Sequence, residues 1–133
     1  MPQIRLEYSD DLQPLPDLRT VFSQIHAALH ETAGAAMANS KSRATAVEAY
    51  IGDGDAANAF VHLGIALMEG RSTEVKARAS DRCLEILELA FEPASDGRNL
   101  QITVDITDLE RATYRKLPHG TIPTPAPTPT PEG

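Results

Sequence analysis

Residues Asn58 to Met68 constrain the fold more than any other stretch. Ala59, Val61, Leu63, Ile65 and Leu67 alternate with Phe60, His62, Gly64, Ala66 and Met68. A two-residue period marks a strand, and here both phases are largely apolar. Such a strand belongs in the middle of a sheet, covered on both sides. Within it, His62 reads as a core histidine with a backbone partner, or else as a pocket wall.

The rest of the chain arranges itself around that strand. Ile4, Leu6 and Tyr8 alternate with Gln3, Arg5 and Glu7, which gives a first strand with one buried face. Ser9-Asp10-Asp11 turns the chain, and Pro16-Asp17 suits the first turn of a helix. Leu18, Val21, Phe22, Ile25 and Leu29 line one face of this helix, which stops by Gly34. Thr45, Val47, Ala49 and Ile51 alternate with Ala44, Ala46, Glu48 and Tyr50 as a second strand, and Gly52-Asp53-Gly54-Asp55 signals a hairpin into the third. Ser72 is a good N-cap for a second helix with Glu74 in its first turn. Val75, Ala79, Cys83, Ile86, Leu87 and Ala90 form its buried stripe, and Pro93, Asp96 and Gly97 end it. Leu100, Ile102, Val104 and Ile106 mark a fourth strand.

The order is β-α-β-β-α-β: two strand-helix-strand units joined by a hairpin, each with parallel pairing and a right-handed crossover. This predicts an α+β fold, a four-stranded mixed sheet with two helices on one face. The other sheet face then needs cover, and copies of the chain are its natural partners. Residues 1–117 make the folding unit. From Pro118 to Gly133 prolines alternate with threonine and alanine, a composition that favours an extended, disordered tail over a packed core.

A formal net charge of -7 argues against a nucleic-acid binder and offers no polybasic membrane signal. No apolar run is long enough to span a bilayer, and Arg5 and Glu7 interrupt any leader-like start, so the expected location is the cytoplasm. The single cysteine, Cys83, cannot close an internal disulfide and reads as a packed thiol. His26 and His30 stand one turn apart without a third ligand and read as surface histidines, so no metal site is expected.

Pro2 carries the most distinctive chemistry. With Met1 removed, its nitrogen is a secondary amine in a rigid ring; with Met1 retained, it is a tertiary amide without basicity. A chain-terminal amine titrates near pH ~7.7–8.0, and an apolar wall or nearby cations lower that value. The outcome lies close to neutrality, where a general base works best. A proline that merely leads a strand is also ordinary. Lys41 and Arg43 lie just before the second strand, where parallel pairing can bring them beside Pro2. Arg71 stands at a strand-to-helix junction, free to reach a pocket mouth. A base among cations suits an anionic carbon acid, whose carboxylates and developing enolate the cations stabilise.

Met1-Pro2, Glu7-Tyr8-Ser9-Asp10, Ser40-Lys41-Ser42-Arg43, Phe60-Val61-His62 and Gly70-Arg71-Ser72 occur in an order and spacing that resembles the 5-carboxymethyl-2-hydroxymuconate delta-isomerase family of the tautomerase superfamily. The resemblance covers residues 1–117. It implies a homotrimer without metal or organic cofactor, acting on a small anionic substrate. The implied substrates are unsaturated 2-hydroxy or 2-oxo di- and tricarboxylates from aromatic-ring cleavage, as in homoprotocatechuate breakdown. It implies that Pro2 carries a proton from the dienol to a carbon further along the conjugated chain. Arg71 is then implied to bind a carboxylate or the 2-oxo end, with Lys41 and Arg43 as further substrate-binding cations. Lys41 stands where the family pattern has arginine, which keeps the charge and loses the planar two-pronged grip. That change leaves room for a tautomerase, decarboxylase or hydratase of another 2-oxo acid. A reading of a different class is a non-catalytic trimeric binding protein that uses its Pro-Thr tail for partners.

Overall fold

The computed structural model describes residues 2–125. Its elements are β1 (Gln3–Ser9), α1 (Leu18–Ala33), β2 (Lys41–Val47), β3 (Asn58–Met68), α2 (Thr73–Phe91) and β4 (Asn99–Leu109), with short 3-10 turns at Met37–Asn39 and Glu92–Ser95. The sheet order is β2-β1-β3-β4. β1 runs parallel to β2 and β3 parallel to β4, while β1 and β3 pair antiparallel in the centre. The expected β-α-β-β-α-β order and four-stranded mixed sheet are therefore present, with both helices on one face.

Local chemistry sets the helix ends. Asp17 is the N-cap of α1, one residue outside the first turn; its carboxylate accepts from the Arg19 amide at 3.1 Å. Gly34 closes α1 in the left-handed region at φ 66, where its amide donates back to His30 O. Ser72 caps α2, its hydroxyl accepting from the Val75 amide at 3.2 Å. Between helices and sheet lies one core. Ile4, Leu6, Val61, Leu63 and Leu67 from the strands meet Val21, Ile25, Leu29, Ala79, Cys83, Leu87 and Phe91 from the helices, all nearly or fully buried. Tyr8 and Phe91 meet with ring centroids 6.5 Å apart.

Several expectations are corrected. The Gly52–Gly54 turn exists, with the Gly54 amide donating to Ile51 O at 2.9 Å, but it does not make a hairpin. β1 lies between β2 and β3, so the segment from 48 to 57 crosses the end of β1 instead of folding β3 back onto β2. β2 stops at Val47 because its only partner, β1, stops at Ser9. Within it, Ser42 and Ala44 face the helices, whereas Lys41, Arg43 and Thr45 face away. β3 is buried at Ala59, Val61, Leu63, Ile65 and Leu67 and only half-buried along its other face. His62 lies on that open face, where its Nδ1 shares a hydrogen bond with Thr103 Oγ1 at 2.7 Å, so it is no core histidine with a backbone partner. His26 is not a surface residue either: it is half-buried and its Nε2 shares a 2.7 Å hydrogen bond with Ser42 Oγ. His30 is exposed, and its Nδ1 donates to Ala35 O at 3.1 Å. The part of the Pro-Thr tail beyond residue 125, like Met1, lies outside the described residues.

Candidate active site

Strand directions gather one set of ends together. β1 and β2 begin where β3 and β4 finish, since the central pair is antiparallel. The same end receives the carboxyl end of α1 and the amino end of α2. Pro2 stands there at the foot of β1. It is buried, and its carbonyl accepts from the Lys41 amide at 3.1 Å, which fixes it against the start of β2.

Lys41 and Arg43 behave differently, although they are two residues apart. Lys41 pairs in register with Gln3, next to Pro2, and its Nζ donates to Asn39 O at 3.3 Å. Arg43 pairs with Arg5, further along the open sheet face, and its Nη1 donates to Gln3 Oε1 at 2.6 Å. Arg71 follows β3 and is half-buried. Its Nε donates to Ala33 O at 2.7 Å and its Nη1 to Met68 O at 3.0 Å. It is therefore tied between the last turn of α1 and the end of β3, not free as its position in the chain suggests. The structure thus brings Pro2, Lys41 and Arg71 to one end and sets Arg43 beside them on the open face.

The segment after β4 returns to this end. Tyr114, Lys116, Leu117, Pro118, His119, Gly120, Thr121, Ile122 and Thr124 pack opposite Ala38, Asn39 and Lys41 and line a cavity of about 550 Å³. Lys116 Nζ donates to Asn39 Oδ1 at 2.9 Å. None of Pro2, Arg43 and Arg71 lines it. The sequence pointed to none of Asn39, Tyr114, Lys116 or His119. Leu109 to Leu117 lacks a period, and the only available signal was a cluster of positive charge at Arg111, Arg115 and Lys116.

Charge is concentrated at this end. Lys41, Arg71, Lys76, Arg111, Arg115 and Lys116 gather at this end with Glu31, Glu69, Glu74, Asp108 and Glu110, and the positive amino end of α2 is met by the negative carboxyl end of α1. At the opposite end, Asp10, Asp11, Glu48 and Asp55 line a smaller cavity of about 220 Å³. In a chain with net charge -7, the basic residues near Pro2 are thus a local cluster set among acidic ones. Away from this end, burial pushes the Cys83 thiol up to about 11, opposed by Arg82, so it is no nucleophile. Among the described residues no group of three or more His, Cys, Asp or Glu could hold a metal ion, and no helix is long and apolar enough to cross a membrane.

The model of the 5-carboxymethyl-2-hydroxymuconate isomerase family matches residues 2–119, starting at Pro2 itself. The chain belongs to this family. It is 27% identical over 110 residues to the 5-carboxymethyl-2-hydroxymuconate Delta-isomerase of Escherichia coli, covering 82% of this chain and 87% of that one. A 5-carboxymethyl-2-hydroxymuconate isomerase from Deinococcus radiodurans R1 shares its fold with a TM-score of 0.78 at 26% identity, over 89% of this chain and 90% of the other. A second solved structure, a 5-carboxymethyl-2-hydroxymuconate delta-isomerase, has the same fold with a TM-score of 0.72 at 20% identity, over 90% and 89% of the two chains. The 5-carboxymethyl-2-hydroxymuconate isomerase family match ends at residue 119, within the segment that walls the cavity beside Lys41.

Proposed function

We propose that this chain is a cofactor-free isomerase that moves a proton along an unsaturated 2-hydroxy or 2-oxo polycarboxylate such as 5-carboxymethyl-2-hydroxymuconate. Pro2, freed by removal of Met1, is the proton carrier. The observation that carries the reading is the burial of Pro2 at the cationic end of the sheet, in a chain whose family match begins at that residue.

The neutral amine accepts the proton of the dienol hydroxyl. Electron density then moves along the conjugated chain, and the ammonium returns the proton to a carbon two positions from the one that becomes the carbonyl's neighbour. The amine is regenerated, so no proton is gained or lost. Burial disfavours a charged amine and keeps the base neutral between turnovers. Lys41 and Arg43 hold carboxylates, and Arg71 stabilises charge at the 2-oxo end through the part of its fork not bonded to Ala33 O and Met68 O. The working assembly is a homotrimer in the cytoplasm, with the open sheet face turned toward neighbouring copies. Residues 1–117 are the catalytic domain and 118–133 a tail whose first part borders the site.

Two measurements test this. The intact mass of the purified protein should lack methionine. Absorbance assays on dienol acids should show turnover in the natural chain and a loss of about 10²–10⁴ in kcat/KM for Pro2→Ala, the usual contribution of a general acid–base group. Retained Met1 or an unimpaired Pro2→Ala variant overturns the reading.

A further inference from the structure

Arg19, Phe22, Ser23 and His26 recur along α1 at the spacing of one helix face, flanking the buried stripe of Val21, Ile25, Ala28 and Leu29. With Met37, Ser42 and Pro125 they line a cavity of about 350 Å³ that does not include Pro2. Ser42 comes from β2 and faces α1, whereas its chain neighbours Lys41 and Arg43 face the other side of the sheet. Ser42 and His26 are both half-buried, and Ser42 Oγ lies 2.7 Å from His26 Nε2. The described lining holds no Asp or Glu, and among the described residues the Arg19 guanidinium makes no hydrogen bond or ion pair.

We infer that this cavity is a second reactive site, separate from Pro2, in which Ser42 is an acyl-accepting nucleophile, His26 its general base and a small ester the substrate. A hydroxyl is a weak nucleophile until a neighbouring base takes its proton. A neutral imidazole with its hydrogen on Nδ1 leaves Nε2 free to accept that of Ser42. Burial lowers the His26 pKa from 6.5, so the base is neutral at neutral pH. Ser42 Oγ bonds to the ester carbonyl carbon as the bond to the leaving alcohol breaks, and His26 hands the serine proton to that alcohol. Water then gives a proton to the same nitrogen and attacks the acyl-serine; the serine oxygen leaves and takes the proton back. Phe22 and Met37 supply an apolar wall for the acyl group, in a volume suited to a small ligand. Arg19 brings the lining a positive charge, which favours the negative charge developing on the attacked carbonyl. No step involves Pro2, so the site stands or falls apart from the isomerase reading.

The test exposes the full chain to p-nitrophenyl acetate. Release of p-nitrophenolate is followed by absorbance, and the acid-quenched protein is digested and mapped by mass spectrometry. An acetyl group should appear on Ser42. His26→Gln should slow its appearance by about 10²-fold, the lower end of the usual range for a general base. In the natural chain the rate of Ser42 acetylation should rise with pH through the lowered His26 titration and level off above it. Among the groups on the described lining, Arg19 stays charged throughout, and Lys41 and Arg43 face away, so this rise belongs to His26. Acetyl groups found on Pro2 or on lysines but not on Ser42 overturn the site. Equal acetylation of Ser42 in His26→Gln, or a rate in the natural chain without that rise and plateau, overturns the role of His26. The mapping and the pH profile are read on the natural chain, so neither depends on a variant that folds.

Discussion

His26 shows how one side chain converts packing into a pH response. Half-buried against Ser42, it lines a cavity of about 350 Å³ with Arg19, Phe22 and Met37. Burial holds its pKa below the ordinary imidazole value of 6.5. In the unfolded chain it therefore binds a proton at a pH where the folded chain does not. Stability falls as the pH drops through 6.5 toward the lower folded value, and levels off beneath it. Above that window His26 has no effect. Melting temperatures measured from about pH 5 to pH 8 should show this decline in the natural chain and a flatter profile in His26→Gln. An unchanged slope in that variant assigns the acid sensitivity to other groups. The sequence shows His26 and His30 as equivalents one turn apart, because period alone does not reveal that Ser42 comes over one of them.

Between elements, Arg71 is the most informative contact. It joins the last turn of α1 to the end of β3 through Ala33 O and Met68 O. Arg71→Ala leaves two half-buried carbonyls without their donor and should cost about 1–3 kcal/mol of stability, read as a lower urea midpoint with an unchanged m-value. An unchanged midpoint would leave Arg71 with a role in the reaction alone. Any rate loss in this variant must therefore be compared with its stability loss. The boundaries of β3 were legible to the residue because its apolar phases end sharply at Asn58 and Met68. Those of β2 were not. Ala44, Ala46 and Ala49 are small enough to suit either face, so alternation carries little information about which side is buried. Neighbour order was hidden for another reason: a Gly-Asp-Gly turn has the same local chemistry whether its strands pair or are separated by a third. Asn39 and Lys116 lie 77 positions apart and meet because β4 returns its continuation to the start of β2.

At the scale of the whole molecule, charge is distributed along the strand direction. The acidic residues Asp10, Asp11, Glu48 and Asp55 gather at one end, and the cations around Lys41 and Arg71 at the other. Among the described residues, Arg98 pairs with Asp11 at the acidic end, at 3.0 Å. Long-range attraction of an anionic substrate is screened beyond a Debye length of about 8 Å at physiological ionic strength. The second-order rate constant kcat/KM on a dicarboxylate should thus fall severalfold between about 20 mM and about 500 mM salt, while the melting temperature changes little. Salt-independent kinetics would show that the asymmetry does no steering. The open sheet face carries Arg5, Glu7, Arg43 and His62 rather than a continuous apolar surface. A neighbouring copy on that face must therefore match charges as well as shape.

The strand order has a consequence for biosynthesis. The ribosome delivers β1 before both strands that flank it. Until Lys41 to Val47 emerges, both backbone edges of β1 are bare, and until Met68 emerges one of them remains so. α1 emerges next and can cover part of the inner face of β1, but Tyr8 lacks its Phe91 partner until α2 emerges. A polypeptide released short of β3 therefore presents an adhesive ribbon to other nascent chains, and premature termination in this gene yields aggregates in place of a smaller soluble domain.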